Sequence, residues 1–252
     1  MRKKIYYTSY ADDVVKNSNQ DFKLKPGYKW INNNIIFKME SVIIYGLALI
    51  VGYIYCKLVL HIHYKNRKVL KGNKDKGYFI YANHTQPFGD VVIPAIGCIG
   101  KRIYVIVSQS NYGIPFIGSL LPQLGALPIP DSIGEYKKFR EGYTTRINQK
   151  HPVIIYPEAH VWPYYNKIRP FEMTSFRFPA ELSAPVYAMT TTYQKRRFGK
   201  GVRTTVYFDG PFEVNLNLST KENQKYLHDI VYDSMLERST HSTYSYYEYI
   251  KS

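Results

Sequence analysis

Ser41 to Cys56 reads SVIIYGLALIVGYIYC, sixteen residues without a charge, and Lys57 alone interrupts its apolar continuation through Leu60. Such a run has few homes in water. As a helix it rises about 24 Å, short of the roughly 30 Å hydrocarbon core of a bilayer. Continued to Leu60, with the Lys57 ammonium snorkelling toward the interface, it just spans. Basic residues flank it on both sides, Lys29 and Lys38 before and Lys57, Lys65, Arg67 and Lys68 after. That symmetry sets no orientation by loop charge and suits a helix embedded from one face equally well. A buried core helix is the bland alternative. The opening MRKKIYYTSYADD leads into polar sequence, which is not the pattern of a secretory signal. The expectation is a membrane-attached chain, divided into an N-terminal basic segment with its apolar helix, residues 1–64, and a larger domain, residues 65–252.

The charge is as localised as the apolarity. The formal balance is +15, and three patches carry all of it: residues 1–34, 57–76 and 193–203. Confinement to patches suits docking onto phosphate groups better than general solubility, although solvated lysines on loops explain any single patch. With 45% hydrophobic and 21% charged residues the chain is neither disordered nor fibrous. Two cysteines, Cys56 and Cys98, cannot build a disulfide framework or a multi-cysteine metal site. The basic residues flank an apolar segment and no RNA-binding motif appears, so nucleic acid is not an expected partner.

After Lys76 short β-rich runs alternate with helical stretches. Residues 77–82 (GYFIYA), 102–107 (RIYVIV), 152–156 (PVIIY), 185–189 (PVYAM) and 203–208 (RTTVYF) read as buried strands. Ser132-Ile133-Gly134-Glu135 has the spacing of a capping box opening a helix to about Gln149. Lys221 to Glu237 reads as a closing amphipathic helix with Leu227, Ile230, Val231 and Leu236 on its apolar side. The pattern predicts an α/β fold, a mostly parallel or mixed central sheet covered by helices, with the membrane-attached segment at its N-terminus. The tail YSYYEYIKS has no assignment.

Reactive groups in α/β sheets gather where strands end. Two such junctions carry polar residues that a buried strand does not need: Asn83-His84-Thr85-Gln86-Pro87-Phe88-Gly89-Asp90 after the first run, and Pro157-Glu158-Ala159-His160 after PVIIY. A carboxylate folded back onto His84 would fix the ring tautomer and strengthen it as a base toward a hydroxyl. A capping Asp and a hydrogen-bonded loop His explain the same pair.

These residues resemble the membrane-bound glycerolipid acyltransferases, including the 1-acylglycerol-3-phosphate acyltransferases. Four blocks carry the resemblance across residues 65–240 and in the family's order. His84…Asp90 is similar to the family's His-x4-Asp box. Pro115-Phe116-Ile117-Gly118, with Leu124-Gly125-Ala126-Leu127-Pro128-Ile129, resembles its acceptor-side block. Tyr156-Pro157-Glu158 matches the start of its FPEGTR block, and Ala184-Pro185-Val186-Tyr187-Ala188 its GVPIVPV strand. The resemblance implies transfer of an acyl group from acyl-CoA or acyl carrier protein to a lipid hydroxyl, 1-acylglycerol-3-phosphate first among acceptors. It implies His84 as general base, Asp90 as its partner, and no resident cofactor or metal. Asn83, Gly118, Glu158 and His160 would shape the substrate site. Membrane lipids and the acyl donor are the expected partners, with the catalytic domain on the cytoplasmic face.

The departures are specific. Five residues, not four, separate His84 from Asp90, and one extra residue turns a side chain by about 100° on a regular helix. A bulge at Pro87–Gly89 must absorb it. Ala159, His160 and Val161 replace the Gly, Thr and Arg of the third block, and that Arg is the family's phosphate ligand. Lys167 and Arg169 are the replacements expected here, since a guanidinium fork suits phosphate oxygens. Two alternatives remain: an acceptor lacking a phosphomonoester, and a catalytically degenerate member that binds anionic membrane.

Overall fold

The computed structural model describes residues 3–15, 21–196 and 201–252. Arg2 and Lys16 of the first basic patch, and Arg197 and Lys200 of the third, lie outside the described residues. The chain runs β1 (Lys4–Tyr7), α1 (Ile35–Ile54), β2 (Ile62–Lys65), β3 (Tyr78–Ala82), α2 (Gly89–Gly97), β4 (Tyr104–Val107), α3 (Ile117–Leu124) and β5 (Ala126–Pro128). It continues through α4 (Ile133–Asn148), β6 (Pro152–Ile155), α5 (Arg177–Leu182), β7 (Val186–Lys195), β8 (Val202–Phe212), α6 (Thr220–Ser239) and β9 (Glu248–Lys251).

Seven strands form one mixed sheet in the order β2-β8-β7-β3-β6-β4-β5. All neighbours are parallel except the long β7–β8 hairpin. The middle strand explains why the sheet is covered on both faces. Every residue of β3 is buried, and side chains alternate across a strand. Phe79 and Tyr81 enter one apolar cluster with Phe139 and Tyr143 of α4 and Leu227 and Val231 of α6. Tyr78, Ile80 and Ala82 enter the other, with Ile93 and Ile96 of α2 and Cys56 and Leu60 beyond α1. The expected α/β architecture is present, and all five β-rich runs contain strands.

Local differences have local causes. The spacing at Ser132 predicts a capping box, yet the helix begins there with no side-chain cap. The box forms instead at Ser219 and Glu222, which satisfy each other's backbone and open α6. On α6 Met235 is buried where Leu236, 37% exposed, was expected. The tyrosine-rich tail supplies β9, which pairs in parallel with β1. Against this pair, Trp162 is fully buried and stacks on Tyr249 with ring centroids 5.2 Å apart.

The expected boundary at 64/65 falls inside β2, an edge strand of the main sheet. Residues before it pack against the same core. Trp30 is 5% exposed within the core and its indole N–H donates to Pro128 O at 2.9 Å. α1, capped by the Asn34 side chain, continues through a π-helical turn at Tyr55–Val59. Its inner side meets α2 and α3. Its outer side leaves Ile36, Ile43, Leu47, Ile50, Ile54 and Leu58 half exposed or more. Ile35–Val59 is long and apolar enough to cross a membrane by length and composition, and 11% of its most apolar window is buried.

Truncating Trp30 to Ala should lower the unfolding free energy by about 3–5 kcal/mol, the usual range for an emptied aromatic site. Urea unfolding measures it, and an unchanged midpoint would show that this segment is an appendage.

Candidate active site

β3 delivers Ala82 to its C-terminal end, and the next residue is clamped before the chain turns. Asn83 is 1% exposed, and its side-chain amide bridges β7 in both directions: Thr191 N donates to Oδ1 at 2.8 Å and Nδ2 donates to Thr191 O at 3.0 Å. The side chain thus extends the β3–β7 ladder by one rung. Asn83 is committed to this scaffold, not to the substrate contact expected of it.

His84 follows, and its Nδ1 lies 2.6 Å from Asp90 Oδ2. The extra residue between them is absorbed before the helix settles. Asp90 N donates to Gln86 O at 3.0 Å, so Gln86–Asp90 closes a single helical turn through Pro87 and Phe88. Gln86 N in turn donates to Asp90 Oδ2 at 2.9 Å. Gly89 makes this turn possible, because a Cβ there would sit 2.8 Å from Gln86 Cβ and 3.0 Å from Leu60 Cδ1. Asp90 stands in the first turn of α2, where the helix dipole favours a carboxylate.

The pair is asymmetric in burial. The Asp90 side chain is 3% exposed and His84 24%, so one ring edge reaches outward. Burial pushes the Asp90 carboxyl above its ordinary range, while the hydrogen bonds from His84 and Gln86 N pull it back. Its second oxygen, Oδ1, is buried without a hydrogen-bond partner. With Nδ1 committed to Asp90, Nε2 is the ring nitrogen left for a substrate proton.

The second junction supports the first. Glu158, at the end of β6, accepts from His84 N at 3.0 Å and from Arg169 Nη2 at 3.1 Å through Oε2. Its Oε1 accepts from Arg169 N at 2.9 Å. Arg169 is fully buried, and its guanidinium also meets His160 O and Tyr10 O. Arg169 is therefore not placed to bind an acceptor phosphate; the structure uses its fork to neutralise Glu158 and to tie down neighbouring carbonyls. Lys167 remains exposed. His160 is partly exposed, its Nδ1 3.7 Å from Asp13 Oδ2. Ala159 adopts φ +63, a conformation that suits the Gly of the resembling family's third block.

Gly118 lies apart from this cluster, at the start of α3, and its role there is packing. A Cβ would stand 2.1 Å from Tyr112 O. The preceding Phe116 is held at φ +62 with its ring 91% exposed.

Three residues, Tyr156, Thr85 and Tyr193, have contacts in the site that sequence reasoning does not give. The Tyr156 ring stacks on His84 with centroids 4.5 Å apart, and its phenol donates to Asp90 O. Burial, then the nearby Asp90 charge, holds that phenol well above its ordinary pKa and keeps it a neutral donor. Tyr193 on β7 binds Thr85 Oγ1 at 2.6 Å and accepts from Gln86 Nε2 at 3.0 Å. Tyr156 is visible as the strand's last residue, whereas Thr85 and Tyr193 are 108 residues apart and share no sequence signal.

Replacing Arg169 with Ala leaves Glu158 buried and unpaired and should destabilise the protein by about 3–5 kcal/mol. Chemical denaturation reads that loss. A variant with wild-type stability and a raised KM for the acceptor would instead show Arg169 to be a substrate ligand.

Residues 61–192, more than half of the chain, match the family model described as Acyltransferase. No curated protein matches the sequence. Among solved structures the chain is similar to the 1-acyl-sn-glycerophosphate (LPA) acyltransferase PlsC from Thermotoga maritima. The TM-score is 0.54 at 14% identity, over 83% of this chain and 84% of that one. At that identity the likeness concerns the fold. The matched segment contains His84, Asp90 and Glu158, and the chain belongs to the acyltransferase family.

Proposed function

We propose that the protein transfers a fatty acyl group from acyl-CoA or acyl carrier protein to the free hydroxyl of a lysophospholipid, 1-acylglycerol-3-phosphate, in phospholipid synthesis. The observation that carries this reading is the His84–Asp90 contact at 2.6 Å, kept despite the longer spacing. His84 Nε2 takes the proton of the acceptor hydroxyl as its oxygen attacks the thioester carbonyl. Asp90 holds Nδ1–H and stabilises the imidazolium that forms. The C–S bond then breaks, and the leaving thiolate takes the proton back from Nε2. The thioester itself supplies the activated acyl group, so the reaction as written calls for no resident cofactor. An intact pair also argues against a protein that only binds membrane.

The exposed outer side of α1 supports attachment to a lipid surface. Burial there removes Ile and Leu side chains from water at about 25 cal/mol per Å². Because α1 is docked along α2 and α3, we place it in the interface with the catalytic unit beside it, on the cytoplasmic face where acyl-CoA resides.

A second reading keeps the chemistry and changes the acceptor to one without a phosphomonoester. Three observations favour it: Val161 stands at the third block's Arg position, Arg169 is internal, and Asp13 lies beside His160. A panel of lysolipids with labelled acyl-CoA decides; strong selectivity for lysophosphatidic acid would end the second reading, and Lys167 would then be its phosphate ligand.

Within either reading, His84→Ala should lower kcat/KM by about 10²–10⁴ while the protein stays folded. Asp90→Asn should lower kcat by about 10²–10⁴, because the imidazole loses the carboxylate that fixes its tautomer and supports the imidazolium. Steady-state kinetics on the folded variant measures it, and an unchanged kcat would show that the contact with Asp90 is only structural.

A further inference from the structure

A cleft opens at the end of the sheet opposite His84. It is bounded by Tyr78 at the start of β3, by residues 97–102 between α2 and β4, and by residues 149–151 ahead of β6. His84 stands six residues beyond Tyr78, about 20 Å at the rise of an extended strand. The cleft encloses about 820 Å³, within the range of small-molecule sites. Seven of its lining residues are Lys or Arg, and among the described residues none is Asp or Glu.

Three of those cations have structural employment. Arg67 Nε donates to Gly97 O at 2.6 Å, Lys101 Nζ to Asn73 O at 3.0 Å, and Arg102 Nη2 to Ser41 Oγ at 2.7 Å. These bonds tie down loop and helix-end oxygens and account for three charges. They do not account for Lys68, Lys71, Lys74 and Lys150, which crowd the same walls. Like charges in one concavity repel. Burial lowers the Lys101 pKa, Cys98 and then Asp75 oppose, and Lys150 adds a smaller lowering. Burial, then Arg146, Arg102 and Lys101, lowers that of His151. Two nitrogens in the wall, Arg102 Nε and His151 Nδ1, are buried without a hydrogen-bond partner. A concavity lined by seven cations, with Asp75 opposing at Lys101, is complementary to an anion with several oxygens.

We infer that this cleft is a binding site for a phosphate-bearing ligand, separate from the acyl-transfer site. It employs the second basic patch, residues 57–76, which the His84 site leaves unused. The phosphate has two possible sources, a free polyphosphate anion or the headgroup of an anionic phospholipid. The second is within reach, because Arg102 joins the cleft to α1 through Ser41 and lies 4.7 Å from the Tyr45 ring centroid. The inference holds whichever acceptor the transfer site takes.

The test uses the full chain in detergent and a Lys68→Gln/Lys71→Gln/Lys150→Gln variant, with Lys137→Gln/Lys138→Gln on the exposed side of α4 as the charge control. Calorimetric titration with pyrophosphate probes the free anion. Flotation with phosphatidylcholine vesicles, with and without phosphatidic acid, probes the headgroup. The wild type should bind one of the two saturably, and the cleft variant should lose about fivefold per lysine removed, while the control binds as wild type. Pyrophosphate binding assigns a soluble ligand, and vesicle binding alone assigns the lipid. Equal loss in the control, or no binding by the wild type to either probe, would overturn the inference. So would a cleft variant whose sole defect is a raised KM for acyl-CoA, since the cleft would then belong to the transfer site.

Discussion

Glu158 is the point on which both polar junctions depend. A carboxylate at 5% exposure is tolerable in a protein interior only when its charge is matched and its lone pairs are occupied. Here one oxygen serves His84 N and the Arg169 guanidinium together, and the other serves Arg169 N. The backbone of His84 is thereby fastened to a loop eleven residues beyond Glu158. Asn83 fastens the preceding residue to β7. Between them, the chain on either side of His84 Cα is held from β6 and from β7, the two neighbours of β3. The ring itself then has little freedom: Asp90 fixes one edge and Tyr156 one face.

That rigidity explains how the longer His84–Asp90 spacing is accommodated. An insertion inside a regular helix would rotate everything after it, but this one lies in the turn between a clamped strand end and a helix start. The turn closes through Gln86 O and Asp90 N, and α2 begins with Asp90 already aimed. Pro87 suits such a position because its missing N–H has no helical partner to lose. The spacing is thus a property of the loop, whereas the functional constraint is on the two anchors. Gly89 marks the tightest point, packed against Gln86 and Leu60.

Much of this was legible in the sequence, for physical reasons that differ by element. The inner strands are buried on both faces, so they appear as uninterrupted apolar runs and their ends locate the site. His84 and Asp90 were readable because their partnership is local. Glu158 and Arg169 were readable as important but not in role, since a motif does not reveal whether an Arg faces solvent or the core. β5, three residues long, and the β1–β9 pair carry too little pattern to register alone. The tyrosines of the tail find their meaning only against Trp162, far away in sequence. That the 64/65 division cuts through β2 has a related reason. An apolar run looks like a separate element, yet α1 shares its inner side with α2 and α3 and Trp30 fills the core.

The charge distribution ties these observations together. A chain of +15 could be expected to surround its reactive centre with cations, but the centre is built from Asp90, Glu158, one buried Arg and neutral phenols. Its electrostatics work through desolvation: Asp90 is buried with one oxygen unpartnered, which concentrates its interaction on the imidazole that touches it. A dense cation field there would drain that interaction by competing for the carboxylate. Lys68, Lys71, Lys74 and Lys150 instead stand at the far end of β3, with the sheet's apolar layers between them and His84. Separation of the two ends places an imidazole paired to a buried carboxylate at one end of the sheet and, on the same strands, a cation-lined cleft at the other.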